Sequence, residues 1–331
     1  MIKFVLLSGL VIILLVFGVA CKPPDAMPTG TATPTARAAT PTPHASRTPR
    51  PTRTPLPALE QLAQVERDVT YCTQDDTALK LDLYLSKRTS AALSPVVVNV
   101  HGGSWSGGDK TASETASDIP ELLARGYAVA AVNYRFAPKS KFPAQLQDVK
   151  CAVRFLRAHA AQYRLDPQRI GAWGCSAGGH LVSMLGVTDP QAGYDDIGEY
   201  RAYSSRIQAA VPMAAPGDLT LYDITTRADM LARVFGVTTN INPVLIKASP
   251  ITYVSRDDPP FLLFAGDKDP VISIKQSETL LQHLNNVGVP AQLVVVQNAA
   301  HCFPPSTPPL VPSREEMSQL IGDFFDQTLR P

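Results

Sequence analysis

Six apolar runs of strand length recur along this chain, at residues 96–100, 127–132, 170–173, 207–213, 261–264 and 293–296. None alternates polar with apolar residues, so each suits a strand covered on both faces. Segments of helical period separate them. The clearest puts Leu146, Val149, Val153 and Leu156 on one face, with Pro143 near its start. Such alternation predicts an α/β fold with a mostly parallel central sheet and helices on both faces. Two earlier runs, 65–71 and 79–85, alternate apolar with polar residues and suit a half-exposed antiparallel edge. The segment 217–249 interrupts the pattern between a strand and the next apolar run. It is read as a small cap or substrate-facing insert, against a connecting helix pair with ordinary core contacts.

The run ending at Trp173 leads into Gly174-Cys175-Ser176-Ala177-Gly178-Gly179-His180, followed by the apolar residues Leu181, Val182, Met184 and Leu185. That is a strand, a glycine-bracketed serine and a helix. A serine hydroxyl held out at so sharp a turn is a candidate nucleophile, and side chains at 174 or 178 would collide within the turn. Set against this is a plain helix N-cap serine. A nucleophile needs a base, an orienting acid and donors for a developing oxyanion. The donors follow the strand 94–100, in His101-Gly102-Gly103-Ser104-Trp105. Backbone N–H groups of Gly103 and Ala177 are expected to serve, with Gly102 or Ser104 close by, and Ser104 and Trp105 are expected to face substrate. The acid follows the strand that begins at Phe261. Asp267 and Asp269 compete there; Asp269 is preferred, and Asp267 suits the turn. The base is His301, which follows the strand 292–296. Of the other five histidines, His44 lies in a Pro/Thr tract, His159 and His283 in helical stretches, His101 in its own loop and His180 one turn past Ser176.

These motifs, in this order, resemble the α/β-hydrolase esterases of the hormone-sensitive-lipase-like group, nearest the branch with bacterial acetylxylan and feruloyl esterases. The resemblance rests on 96–110, 125–135, 142–156, 165–181 and 261–272, and runs from about Val65 to the C-terminus. It implies a triad of Ser176, Asp269 and His301. Two departures exist: Ser104 and Trp105 stand where many relatives carry Gly and Phe, and Ala265 where relatives often carry His. The resemblance implies hydrolysis of carboxylic esters through an acyl-enzyme, with acetyl or feruloyl esters of polysaccharides as substrates. The competing readings are a short-chain carboxylesterase or lipase, an amide hydrolase of the arylformamidase or prolyl-peptidase kind, and a non-catalytic surface binding module.

The chain has 331 residues and a net charge of +1, which gives no electrostatic case for nucleic acid. No metal is implied, because no His/Cys/Asp cluster has ligand spacing. No nucleotide cofactor is implied either, because 174–179 lacks the G-x-G-x-x-G order. Residues 1–21 carry Lys3, an apolar run over 4–20 and Cys21, the pattern of a signal peptide with a lipobox-like end. Lipidation at Cys21 is expected, with an uncleaved anchor helix as the alternative, and the membrane is met only through this N-terminus. Residues 22–57 are dense in Pro and Thr and cannot bury a core. At ~3.1 Å per residue they form a tether reaching on the order of 100 Å, which leaves 58–331 as the catalytic domain. An extracytoplasmic place, at the cell surface or secreted, follows from both readings.

Of the five cysteines, Cys175 precedes the candidate nucleophile and Cys302 follows the candidate base. If Ser176 and His301 meet, their chain neighbours come within disulfide reach, about 4.4–6.8 Å between Cα atoms. The arrangement resembles that of fungal tannases and feruloyl esterases, in which a bridge ties the two catalytic loops. A Cys175–Cys302 disulfide is therefore expected, against two buried free thiols. Cys72 and Cys151 are left as a pair by elimination, with nothing in their neighbours to bring them together.

Overall fold

Eight strands form one sheet in the order β1-β2-β4-β3-β5-β6-β7-β8. They are β1 (Ala63–Gln74), β2 (Thr77–Ser86), β3 (Ser94–Val100), β4 (Ala128–Val132), β5 (Leu165–Cys175), β6 (Ala209–Met213), β7 (Phe261–Gly266) and β8 (Ala291–Val296). This computed structural model describes residues 56–87, 92–222, 224–239 and 242–330. The leader, Cys21 and all but the end of the Pro/Thr tract lie outside the described residues.

The antiparallel partners are β1 with β2 and β2 with β4; every later pairing is parallel. The continuous Val and Ala of β3 and β4 explain their central place. Val96, Val97, Val98, Val100 and all of β4 are fully buried, as strands covered on both faces require. The β1–β2 hairpin turns on Asp75 and Asp76, with φ of 47° and 58°. Aspartate tolerates that left-handed pair better than most side chains, and a two-residue turn of this hand matches strand twist. β5 starts at Leu165, earlier than its apolar run, because Leu165 pairs with Ser94 across an irregularity in the ladder.

Helix Ala144–Ala158 buries Leu146, Val149, Val153 and Leu156 as its period predicts. It also buries Lys150 and Arg154, four and eight residues past Leu146, where the helical period allows burial but the charges argue against it. Asp195 resolves the cost by pairing with Lys150 Nζ at 2.8 Å and Arg154 Nη1 at 3.0 Å. Cys72 and Cys151 are bonded, with Cα atoms 6.5 Å apart.

The 217–249 segment forms helices Ile224–Phe235 and Pro243–Ala248 after a short turn at Leu219–Leu221. Leu219, Leu231, Val234, Phe235, Leu245 and Ala248 all belong to the core. The segment thus makes ordinary core contacts, and it also braces the loop after β7: Arg227 Nη2 donates to Val271 O at 2.6 Å.

His180 lies fully buried beneath this segment. Its Nδ1 accepts from the Trp105 indole N–H at 3.2 Å and its Nε2–H donates to Ala248 O at 2.7 Å. Neutral imidazole satisfies both partners, whereas protonated imidazole would turn a second N–H toward the indole donor. Burial pushes its pKa down to about 4 from 6.5. Between those values the unfolded chain binds a proton that the folded one refuses. The stability is therefore complete above pH 6.5 and is lost as pH falls toward 4. The loss from this residue is about 3 kcal/mol. Urea unfolding at pH 7 and pH 4.5 should show a smaller drop in His180→Gln than in the parent; equal drops would refute the assignment.

Candidate active site

Ser176 stands between the last residue of β5 and helix Ala177–Val187, at φ 56° and ψ −122°. Few non-glycine residues adopt that backbone, and such strain gathers at sites where a side chain must be aimed. Its own N–H is tied to Met213 O at 2.9 Å. The turn closes because helix and strand approach the end of β3 without side chains between them. A Cβ at Gly178 would sit 2.0 Å from Val100 O, and one at Gly174 2.4 Å from the same oxygen.

The loop after β7 carries Asp269 and the loop after β8 carries His301. His301 Nδ1 donates to Asp269 Oδ2 at 2.8 Å. Asp269 Oδ1 accepts from the N–H groups of Val271 at 2.7 Å and Ile272 at 2.9 Å, and its side chain is only 1% exposed. Three hydrogen bonds thus fix the carboxylate, and it fixes the imidazole with Nε2 as acceptor. Asp267 does different work: its Oδ1 accepts from Ala299 N–H at 3.1 Å and joins the two loops. Cys175 and Cys302 form a disulfide with Cα atoms 6.0 Å apart, which links the residue before Ser176 to the residue after His301. The Ser176 hydroxyl makes no hydrogen bond among the described residues, to His301 or any other group. Such contacts often tighten only when substrate binds.

The loop after β3 is built on three successive left-handed residues, Gly103, Ser104 and Trp105, with φ of 105°, 52° and 55°. Tyr134 braces it from below: its hydroxyl donates to His101 O at 3.0 Å and its ring stacks on His101 at 4.4 Å. Two expectations are corrected here. The Gly102 N–H is not free to meet an oxyanion, because it donates to Glu114 Oε2 at 3.1 Å. Trp105 does not face outward; it is 3% exposed, bonded to His180 and edge-on to Phe235 at 5.4 Å. Packing of so large an apolar surface outweighs its display in a loop. Ser104 is the exposed residue of the pair. The N–H groups of Gly103, Ser104 and Ala177 meet no protein acceptor among the described residues.

Glu114 and Tyr134 were not identified from sequence. Tyr134 lies in a stretch that carries the family resemblance, whereas Glu114 is an exposed acid in a Ser/Thr-rich loop with no local signature. The polar anchor of Glu114 is buried: Asn99 of β3 donates to Thr115 Oγ1 at 2.6 Å, which fixes the adjoining residue. A cavity of about 590 Å³ adjoins His301, with Glu114, Phe303, Pro309, Leu310 and Arg314 among its walls.

A parallel sheet with a strained serine after its fifth strand, an acid after the seventh and a histidine after the eighth defines the α/β-hydrolase class. The chain belongs to the BD-FAE family, whose model matches residues 81–284. It is 33% identical over 222 residues to the probable carboxylic ester hydrolase LipM of Mycobacterium tuberculosis, covering 62% of this chain and 49% of that one. It is also 33% identical over 225 residues to the esterase LipC of the same organism, covering 64% and 54%. The chain thus spans about half the length of these curated relatives. Among solved structures, a truncated carbohydrate esterase from gut microbiota superposes with a TM-score of 0.70 at 28% identity, covering 84% of this chain and all of that one. The bifunctional GH43-CE protein of Bacteroides eggerthii superposes with a TM-score of 0.69 at 30% identity, covering 80% and 38%.

Proposed function

We propose that this chain is a serine esterase that cleaves carboxylic esters through an acyl-enzyme. The hydrogen bond from His301 Nδ1 to Asp269 Oδ2, with its loop bonded by Cys175–Cys302 to the Ser176 turn, carries the reading. Ser176 Oγ attacks the ester carbonyl while His301 Nε2 takes its proton. The carbonyl oxygen becomes an oxyanion held by the N–H groups of Gly103 and Ala177, with Ser104 beside them. Each such donor is worth on the order of 3 kcal/mol in the transition state. The oxyanion collapses, the bond to the alkoxy oxygen breaks, and His301 hands its proton to the departing alcohol. Water, deprotonated by the same imidazole, then releases the acid. Asp269 holds the tautomer and stabilises the imidazolium throughout.

Acetyl or feruloyl groups on polysaccharides are the proposed substrates, supported by the solved relatives described as carbohydrate esterases. A short-chain carboxylesterase is the second reading, favoured by the curated relatives named as esterases. The two disulfides fit an oxidising compartment, and with the leader and Pro/Thr tract they support an extracytoplasmic enzyme tethered through Cys21. Rates on acetylxylan, methyl ferulate, formylkynurenine and p-nitrophenyl acetate, butyrate and octanoate test the proposal. Cleavage of acetylxylan or methyl ferulate beside p-nitrophenyl acetate, with octanoate slow, is expected. Cleavage of formylkynurenine alone would overturn it in favour of an amide hydrolase.

A further inference from the structure

Glu114 presents a carboxylate that the chemistry above does not use. One oxygen, Oε2, accepts the Gly102 N–H at 3.1 Å. Both oxygens lie against that glycine: a Cβ there would meet Oε1 at 2.8 Å and Oε2 at 3.1 Å. The acid is thus seated on the backbone of the loop that supplies the oxyanion donors. Its own backbone is held by neighbours: Asn99 donates to Thr115 Oγ1 at 2.6 Å, and the hydroxyls of Ser113 and Thr115 lie 2.9 Å apart. Oε1 has no hydrogen-bond partner among the described residues. The same side chain lines the cavity of about 590 Å³ that also has His301 in its wall.

A fixed negative charge beside an oxyanion loop works against the oxyanion, so anchoring alone does not account for a carboxylate there. A neutral amide oxygen would hold Gly102 equally well. A carboxylate oxygen that stays open does explain the charge, because it accepts strong hydrogen bonds from hydroxyl donors. Reaction geometry says which half of an ester would bring them. The acyl oxygen turns toward Gly103 and Ala177, and the alcohol oxygen must take its proton from His301. The alcohol half therefore lies on the His301 side, where the cavity is. The other charge in that wall, Arg314, is held through Nη2 by buried Asp118 at 2.9 Å; its Nη1 is buried and has no partner among the described residues, so it offers no exposed contact.

We infer that Glu114 is a specificity-determining residue that accepts a hydrogen bond from a second hydroxyl on the alcohol half of the ester. It selects esters of polyols over esters of simple alcohols. The inference rests on the esterase reading and adds what distinguishes one alcohol from another.

Ethylene glycol monoacetate and propyl acetate differ only by a hydroxyl in place of a methyl group, so the ratio of their kcat/KM values isolates the contact. A hydrogen bond to a charged group should favour the glycol ester by about ten-fold or more. In Glu114→Ala the ratio should fall to about one, and in Glu114→Gln by at least about three-fold. General damage to the loop cancels in the ratio. Should the alanine variant be inactive, the glutamine variant carries the same readout. A wild-type ratio near one, or a ratio unchanged by the substitution, would overturn the inference while leaving ester hydrolysis standing. Failure to cleave either acetate would overturn the esterase reading and this inference with it.

Discussion

Ser176→Ala should lower kcat on p-nitrophenyl acetate by about a million-fold, the scale seen when a serine hydrolase loses its nucleophile. The size follows from what the residue alone provides. In the proposed mechanism its hydroxyl forms the bond that divides one hard step into two, and no other hydroxyl among the described residues stands at such a strand-to-helix turn. The strained backbone at φ 56° aims it, and the close approach of Gly174 and Gly178 to Val100 O leaves that turn little freedom. Alanine adopts the same backbone and removes one oxygen, so the fold should survive and KM should change little. The remaining rate would come from the free N–H donors and from binding. Thermal unfolding near that of the parent, with the activity gone, is the expected pair of results. Retained activity would refute the mechanism.

Asp269→Asn should cost about 10⁴-fold in kcat through a change of tautomer, with little effect on folding. Asp269 Oδ1 is held by two backbone N–H groups, so an asparagine keeps its oxygen there and turns its NH2 toward His301 Nδ1. Nδ1 must then accept, the ring proton moves to Nε2, and the nitrogen that should take the serine proton is blocked. Asp267→Asn is the control, because Asp267 serves Ala299 N–H and its substitution leaves the imidazole alone. A loss of less than ten-fold in Asp269→Asn, or equal losses in the two variants, would contradict the assignment.

Much of this was readable from the chain because it rests on local pattern. Five of the six continuous apolar runs became buried strands; the last became the edge strand β8, where Val295 is 37% exposed because no strand lies beyond it among the described residues, and the alternating runs became the antiparallel pair β1–β2. The glycine-bracketed serine became a strand-to-helix turn, and the loops after β7 and β8 brought Asp269 and His301 together. The link between Cys175 and Cys302 followed from the same adjacency. What escaped depends on partners distant in sequence. Lys150 and Arg154 carry charges that argue for exposure until Asp195, some forty residues on, neutralises both. Gly102 looks like an oxyanion donor until Glu114 folds back onto its N–H. Trp105 looks exposed in a glycine loop until His180 and the 217–249 segment enclose it. Side chain to backbone contacts between separate loops leave no periodicity to read.

Ser176 Oγ is the atom proposed to carry the acyl group, and covalent trapping tests that directly. The native protein would be treated with a fluorophosphonate, digested, and its peptides weighed. A single adduct on the peptide that holds Ser176, blocked by prior substrate and accompanied by complete loss of esterase activity, is the expected result. Full hydrolysis by protein that takes up no label, or label on another residue whose modification abolishes activity while Ser176 stays free, would contradict it.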